Sequence, residues 1–248
     1  MKQCVLMMIS LLFSGAIAIA QDADTIPQRK NTIKLDLTSY FIYRNAIVIG
    51  YERVTKPNQS FLISAGYQEF PNVTSFGNTI GVTQNGKRNG FKAGGEYRFY
   101  LKKENKYHAP HGVYIGPYFM YHKYNNSRTI EVDNNGTPEQ AILDSKFGIF
   151  NVGVQLGYQF VISDRWAIDL TFVGPSISHY RYSLDLGGNY TFDKEDIQNE
   201  IILDLLDRFP FLDEAISEKE ATKDGRLDTW SFGYRYQLTV GYHFGRKK

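Results

Sequence analysis

Near its C-terminus the chain alternates strictly between apolar and polar residues. Trp230, Phe232, Tyr234, Tyr236, Leu238, Val240, Tyr242 and Phe244 take every even position. Ser231, Gly233, Arg235, Gln237, Thr239, Gly241 and His243 take the odd ones between them. Successive strand side chains point to opposite faces, so one face is apolar and aromatic throughout while the other is polar or small. A helix would scatter the same residues around its circumference. The run therefore reads as one strand, longer than the roughly 5–6 residues usual in globular sheets.

The same period recurs seven times upstream, at Ile33–Leu37, Ile47–Tyr51, Phe61–Tyr67, Phe91–Phe99, Val113–Phe119, Phe150–Phe160 and Trp166–Phe172. That makes eight strands, an even number. Residues 55–59 and 162–165 read as tight turns, 102–111 as a moderately short one, and Tyr43-Arg44-Asn45 as the first hairpin turn. The connections 70–89, 125–144 and 183–228 read as long loops. Short turns on one rim, long loops on the other and an apolar outer face are the pattern of an outer-membrane barrel. A closed barrel satisfies every backbone group without water, which an open sheet in lipid does not. The expected fold is all-β: an eight-stranded antiparallel transmembrane β-barrel over residues 31–244, with an amphipathic helical insert before the last strand.

The soluble rival, a lipocalin-like barrel or a sandwich, would be greasy inside and polar outside. The polar parity here carries Lys34, Asp36, Glu52, Lys92, Glu96, Arg98, Asp169, Arg181 and Arg235. Mixed charges among many glycines suit a narrow hydrogen-bonded lumen, and the aromatic face is too continuous to leave in water. Eight strands enclose a space just wide enough for side chains, so the expected interior is closed and salt-bridged rather than a channel. Composition agrees. The 248 residues include 18 Tyr, 17 Phe and 2 Trp, yet mean hydropathy is −0.36, because two opposite surfaces are averaged together. A net charge of +2 without clustered Lys and Arg gives no footprint for nucleic acid.

The N-terminus carries an address. Met1-Lys2-Gln3 is a positive start, an apolar stretch runs from Cys4 to Ala20, and Ala18-Ile19-Ala20 closes it. This is the order of a secretory signal peptide, with cleavage expected after Ala20. Removing residues 1–20 removes Cys4, the single cysteine, so the mature chain has no disulfide or thiol chemistry. Residues 21–30 read as a polar lead-in and 245–248 as a basic tail.

The leader, the repeated aromatic strands and the terminal Tyr236-Gln237-Leu238-Thr239-Val240-Gly241-Tyr242-His243-Phe244 together resemble the small eight-stranded outer-membrane β-barrel proteins of Gram-negative bacteria, particularly the Bacteroidota. The resemblance covers about residues 31–244. It implies residence in the cell outer membrane, contact with its lipid and lipopolysaccharide, and recognition of the terminal strand by the barrel insertion machinery. Many members end at the terminal aromatic, whereas Gly245-Arg246-Lys247-Lys248 follows it here.

Two catalytic types are known on barrels of this size, a lipid A palmitoyl transferase and a lipid A deacylase. Each needs a hydroxyl nucleophile and a His base within hydrogen-bond reach. Ser178 and His179 are adjacent and so point to opposite faces. His179 and Ser183 share a face but lie about 13 Å apart along a strand. No catalytic residue is assigned. His122 and His179, both of interior parity as the strands read, offer two metal ligands without a third. His108 and His111 in HAPH read as a solvated turn. No metal or cofactor is expected.

The insert at 191–224 holds eleven acids and four bases, a net of −7 against about +8 for the rest of the mature chain. Asp193-Lys194-Glu195-Asp196 looks like a helix start and Pro210 like its stop. Ile197, Ile201, Leu205 and Phe209 fall on one face. That stripe needs cover from the lumen, the outer-leaflet surface or an unidentified protein partner. The expected role is non-enzymatic, in envelope structure or surface interaction. The alternatives are transport, as a narrow pore or a conduit for small hydrophobic molecules, and lipid A modification.

Overall fold

The computed structural model describes residues 29–70, 75–76, 80–105, 107–134, 137–162, 165–188 and 226–245. The expected leader at 1–20, most of the expected lead-in and the expected helical insert at 191–224, with Ile197, Ile201, Leu205 and Phe209, lie outside the described residues. The elements in order are β1 (Asn31–Asp36), α1 (Leu37–Ile42), β2 (Arg44–Lys56), β3 (Gln59–Glu69), β4 (Ser75–Phe76), β5 (Ile80–Tyr100), β6 (Gly112–Asn134), β7 (Thr137–Ile162), β8 (Trp166–Gly187) and β9 (Arg226–Phe244). Every pairing is antiparallel. β1 to β3 pair in sequence order, as do β5 to β9, β3 pairs with β5, and β9 returns to β1, so eight strands close into a ring. The two-residue β4 only extends the edge of β5.

The ring is uneven. The connections expected as long loops at 70–89 and 125–144 are largely strand. β5 starts at Ile80, β6 runs to Asn134 and β7 resumes at Thr137. Asn125 to Asn134 pair in continuous register with Lys146 to Thr137. Between residues 125 and 144 Gly and Pro are confined to Gly136 and Pro138, and alternating Ile130, Val132, Ala141 and Leu143 sustain the ladder on either side of them. The wall from β5 to β8 therefore projects above the rest of the ring as a tall sheet.

The first hairpin also differs from a plain turn. β1 ends at Asp36, whose side chain accepts from the Ser39 backbone N–H at 2.9 Å and so caps the six-residue α1. Asn45, at φ 46°, then turns the chain into β2, a conformation that Asn tolerates. Above Leu238, β9 pairs with β8 alone among the described residues. α1 stands beside that edge, and Leu238 N donates to Thr38 Oγ1 at 2.7 Å.

Candidate functional site: the ion-paired interior and its rim

Along each strand of the lower ring, one parity is buried and charged while the other is exposed and apolar. Lys34, Glu52, Glu96, Arg98 and Asp169 are all fully or nearly buried, whereas Phe232 is 84 % exposed. Lys34 Nζ reaches Glu52 Oε2 at 2.8 Å and Asp169 Oδ2 at 2.5 Å. Arg98 donates to the same Asp169 oxygen at 2.6 Å and to Glu96 Oε2 at 2.7 Å. Its guanidinium also stacks on the Tyr114 ring, 4.2 Å from the centroid. Tyr114 OH donates to Asp169 Oδ1 at 2.7 Å, and Ser60 Oγ and Tyr100 OH donate to Glu52 Oε1 at 2.6 and 2.9 Å.

A second knot lies nearer the upper rim. Asp36 receives Lys92 Nζ at 2.6 Å and Gln237 Nε2 at 2.7 Å. Arg235 pairs with Glu96 and with Gln237. Gln155 Nε2 donates to Glu96 Oε2 at 2.8 Å, which joins the two knots. All eight ring strands contribute a side chain to this network. Four cations (Lys34, Lys92, Arg98, Arg235) face four anions (Asp36, Glu52, Glu96, Asp169), so this network is charge-balanced.

Eight of the nine interior positions read from parity thus lie inside and touch one another. Arg181 does not. Its side chain is 71 % exposed and Nε pairs with Asp228 Oδ2 at 3.0 Å on the outer face. The cause is a β-bulge. The β8 register jumps from Thr171 to Gly174, and Phe172 and Val173 are both exposed. One extra residue inverts every side chain that follows. Ser176, Ser178 and Tyr180 therefore turn inward, while His179 turns outward to pair with Asp228 and stack on Trp230. His122 stays on the inner parity beside Gln68, 2.9 Å from its Nε2, so the two histidines end on opposite faces. Ser178 and His179 are likewise divided by the sheet. No group of three metal-capable side chains occurs among the described residues.

The neutral members were missed by a reading that looked for charges. Tyr100, Tyr114, Tyr118, Gln155 and Gln159 share the parity of Arg98 and its partners, and that parity was the available signal. Higher still, the interior becomes an aromatic cluster. Tyr124 stacks with Tyr43 and Phe147, with centroids 5.8 and 6.3 Å apart, and Phe70 meets Tyr124 edge-on at 5.3 Å. On the lower side, His108 is exposed beside Asn58. His111 differs from the expected solvated turn, because its ring stacks on Tyr107 at 4.6 Å and meets Tyr158 edge-on at 6.1 Å.

In the projecting part of β6 to β8 the polarity reverses on the same parities. Ile130, Val132, Ala141, Leu143, Leu184 and Leu186 are buried on the inner face, while Glu131, Asp144, Lys146 and Asp185 lie on the outer one. The lower ring is apolar outside and charged inside; the upper sheet is mainly the opposite, although Arg128 and Asn126 are buried on its inner face and Ile142 is exposed on its outer one. Residues 6–195, which take in β1 to β8, match the model of a family described as Protein of unknown function (DUF3575). The chain belongs to that family. No curated protein matches the sequence.

Proposed function

We propose that this protein is a non-enzymatic outer-membrane β-barrel, exported by a cleaved leader, with a role in envelope structure or surface interaction. The observation that carries this reading is the polarity reversal along single strands. A sheet in one solvent keeps one sense of polarity. One that passes from hydrocarbon to water has reason to invert, because its outer face changes solvent partway up. The boundary falls at an outward row of Tyr121, Phe150, His179 and Trp230, with Lys123, Arg181 and Asp228 in the row above. Trp166, Tyr242 and Phe244 border the other end. Trp230 and Tyr242 are about 40 Å apart along β9, or about 28 Å for a strand tilted by ~45°, which suits a hydrocarbon core of roughly 30 Å. Aromatic rings gather at such interfaces.

The packed interior with its charge-balanced network favours a closed role over a pore, and the hydroxyl–histidine pairs among the described residues, Thr32 Oγ1 with His243 Nδ1 at 2.7 Å and Tyr124 OH with His122 Nδ1 at 3.4 Å, are enclosed inside the ring. The test is reconstitution of the purified protein in planar bilayers. The expected result is heat-dependent gel mobility, as for folded barrels, with no steady conductance. Reproducible single-channel steps would favour transport. Heat-independent mobility with recovery in the soluble periplasm would overturn the membrane reading.

A further inference from the structure

Just above the aromatic edge, the outer face of β5 to β9 is built unlike the rest of the surface. One cross-strand row reads Lys123, Gly148, Arg181 and Asp228; the next reads Asn89, Asn125, Lys146, Ser183 and Arg226. A Cβ on Gly148 would meet nothing nearer than 3.9 Å, so the first row dips between two cationic side chains. The second row lines a cleft of about 610 Å³ together with Lys87, Asp144 and Asp185. Lys87, Lys123 and Lys146 have no carboxylate within ion-pair distance among the described residues, whereas Arg181 is held by Asp228. Asn125 Nδ2 donates to Asn89 Oδ1 at 2.8 Å, fixing an amide ladder on the cleft floor.

We propose that this cleft holds the head group of a phosphorylated glycolipid whose acyl chains lie down the apolar band. The inference rests on the membrane reading above and adds a ligand class and a place. Three observations point to that occupant. The ammonium groups of Lys87, Lys123 and Lys146 have no carboxylate partner among the described residues and suit a phosphate. The amides and carboxylates of Asn89, Asn125, Asp144 and Asp185 suit sugar hydroxyls and disfavour a bare anion. Phe91 also stands beside Lys123 in the first row, and the exposed rings of Tyr121, Phe150 and Trp230 form the row beneath it, where acyl chains would run.

The test uses the full-length protein purified in detergent, titrated with monophosphoryl lipid A or with an unphosphorylated digalactosyl lipid and read by native mass spectrometry. Wild type should retain the phosphorylated lipid preferentially. At about fivefold per lysine, K123Q with K146Q should weaken that retention by about 25-fold. The control pair K56Q with K102Q, near the opposite rim, should leave it unchanged. Equal retention by wild type and K123Q/K146Q would overturn the site, and equal retention of both lipids would overturn the phosphate. A wild type that is soluble without detergent and binds neither lipid would overturn the membrane reading itself.

Discussion

Lys34 Nζ lies 2.5 Å from Asp169 Oδ2, so β1 is tied through the interior to β8, a strand it does not touch along the wall. Arg98 brings β5 to the same oxygen from the other side at 2.6 Å. Ladder hydrogen bonds link neighbours only. These ion pairs link strands across the ring, and they tell the chain which register closes it.

Removing one partner should therefore hurt more than removing both. Asp169→Asn leaves Lys34 and Arg98 facing a neutral amide, and an uncompensated buried charge costs about 3–5 kcal/mol. The double variant K34M/D169L removes both charges, but leaves Arg98 with Glu52 and Glu96 still inside. It should fall well short of the sum of its two singles. Urea unfolding in detergent micelles, followed by the fluorescence of Trp166 and Trp230, measures each step of that cycle.

Backbone approach gives a sharper contrast at two glycines. A Cβ on Gly116 would sit 1.8 Å from the Tyr97 carbonyl oxygen and 2.9 Å from its carbon, so β5 and β6 would have to part. G116A should abolish the heat-dependent mobility shift of a folded ring. G148A, with nothing nearer than 3.9 Å, should stay within about 1 kcal/mol of wild type by the same unfolding assay.

How much of this could be read without coordinates is settled by where the two-residue period holds. It holds unbroken through β9 and through the lower halves of β1, β2, β3 and β5, where Lys34, Glu52, Glu96 and Arg98 follow directly from parity. It fails at Phe172-Val173, two apolar neighbours that look like an ordinary strand pair but both remain outside. Gly174-Pro175 follow directly and are the signal, since Gly or Pro inside a strand pattern often marks a bulge, but a reading by alternation alone passes over them. Arg181 and His179 were therefore assigned to the wrong face. The projecting sheet was missed for a related reason, because its Asn- and Asp-bearing outer parity carries residues depleted in strands and so reads as loop.

The bulge itself is testable by labelling. Cys4 is the single cysteine of the sequence, so in a Cys4→Ser background an introduced cysteine reports cleanly. Arg181→Cys should react in seconds to minutes with a water-soluble maleimide in the folded protein, and Ser178→Cys, three residues away and fully buried, should react only after unfolding. Deleting Val173 should restore simple alternation, so that whatever population folds shows the reverse pattern. Equal labelling of both positions in the folded protein would remove the bulge from the account.

The turn between β5 and β6 carries a pH dependence. Burial of the His111 imidazole against Tyr107 and Tyr158 favours its neutral form and holds its pKa below the ordinary histidine value. The unfolded chain, free of that burial, binds its proton at higher pH. Between the two pKa values the unfolded state thus carries more protons, and stability rises with pH there. The contribution of His111 should be fully present above about pH 6.5, the unfolded value, and be lost as pH falls through the folded one. His111→Gln should flatten that part of the stability profile, and Tyr107→Ala should return the His111 titration toward the free value. An NMR titration of the imidazole in micelles, compared with the same imidazole in the urea-unfolded chain, reads both. A His111 that titrates at or above its value in the unfolded chain would mean that the ring is solvated and the stack does not hold it.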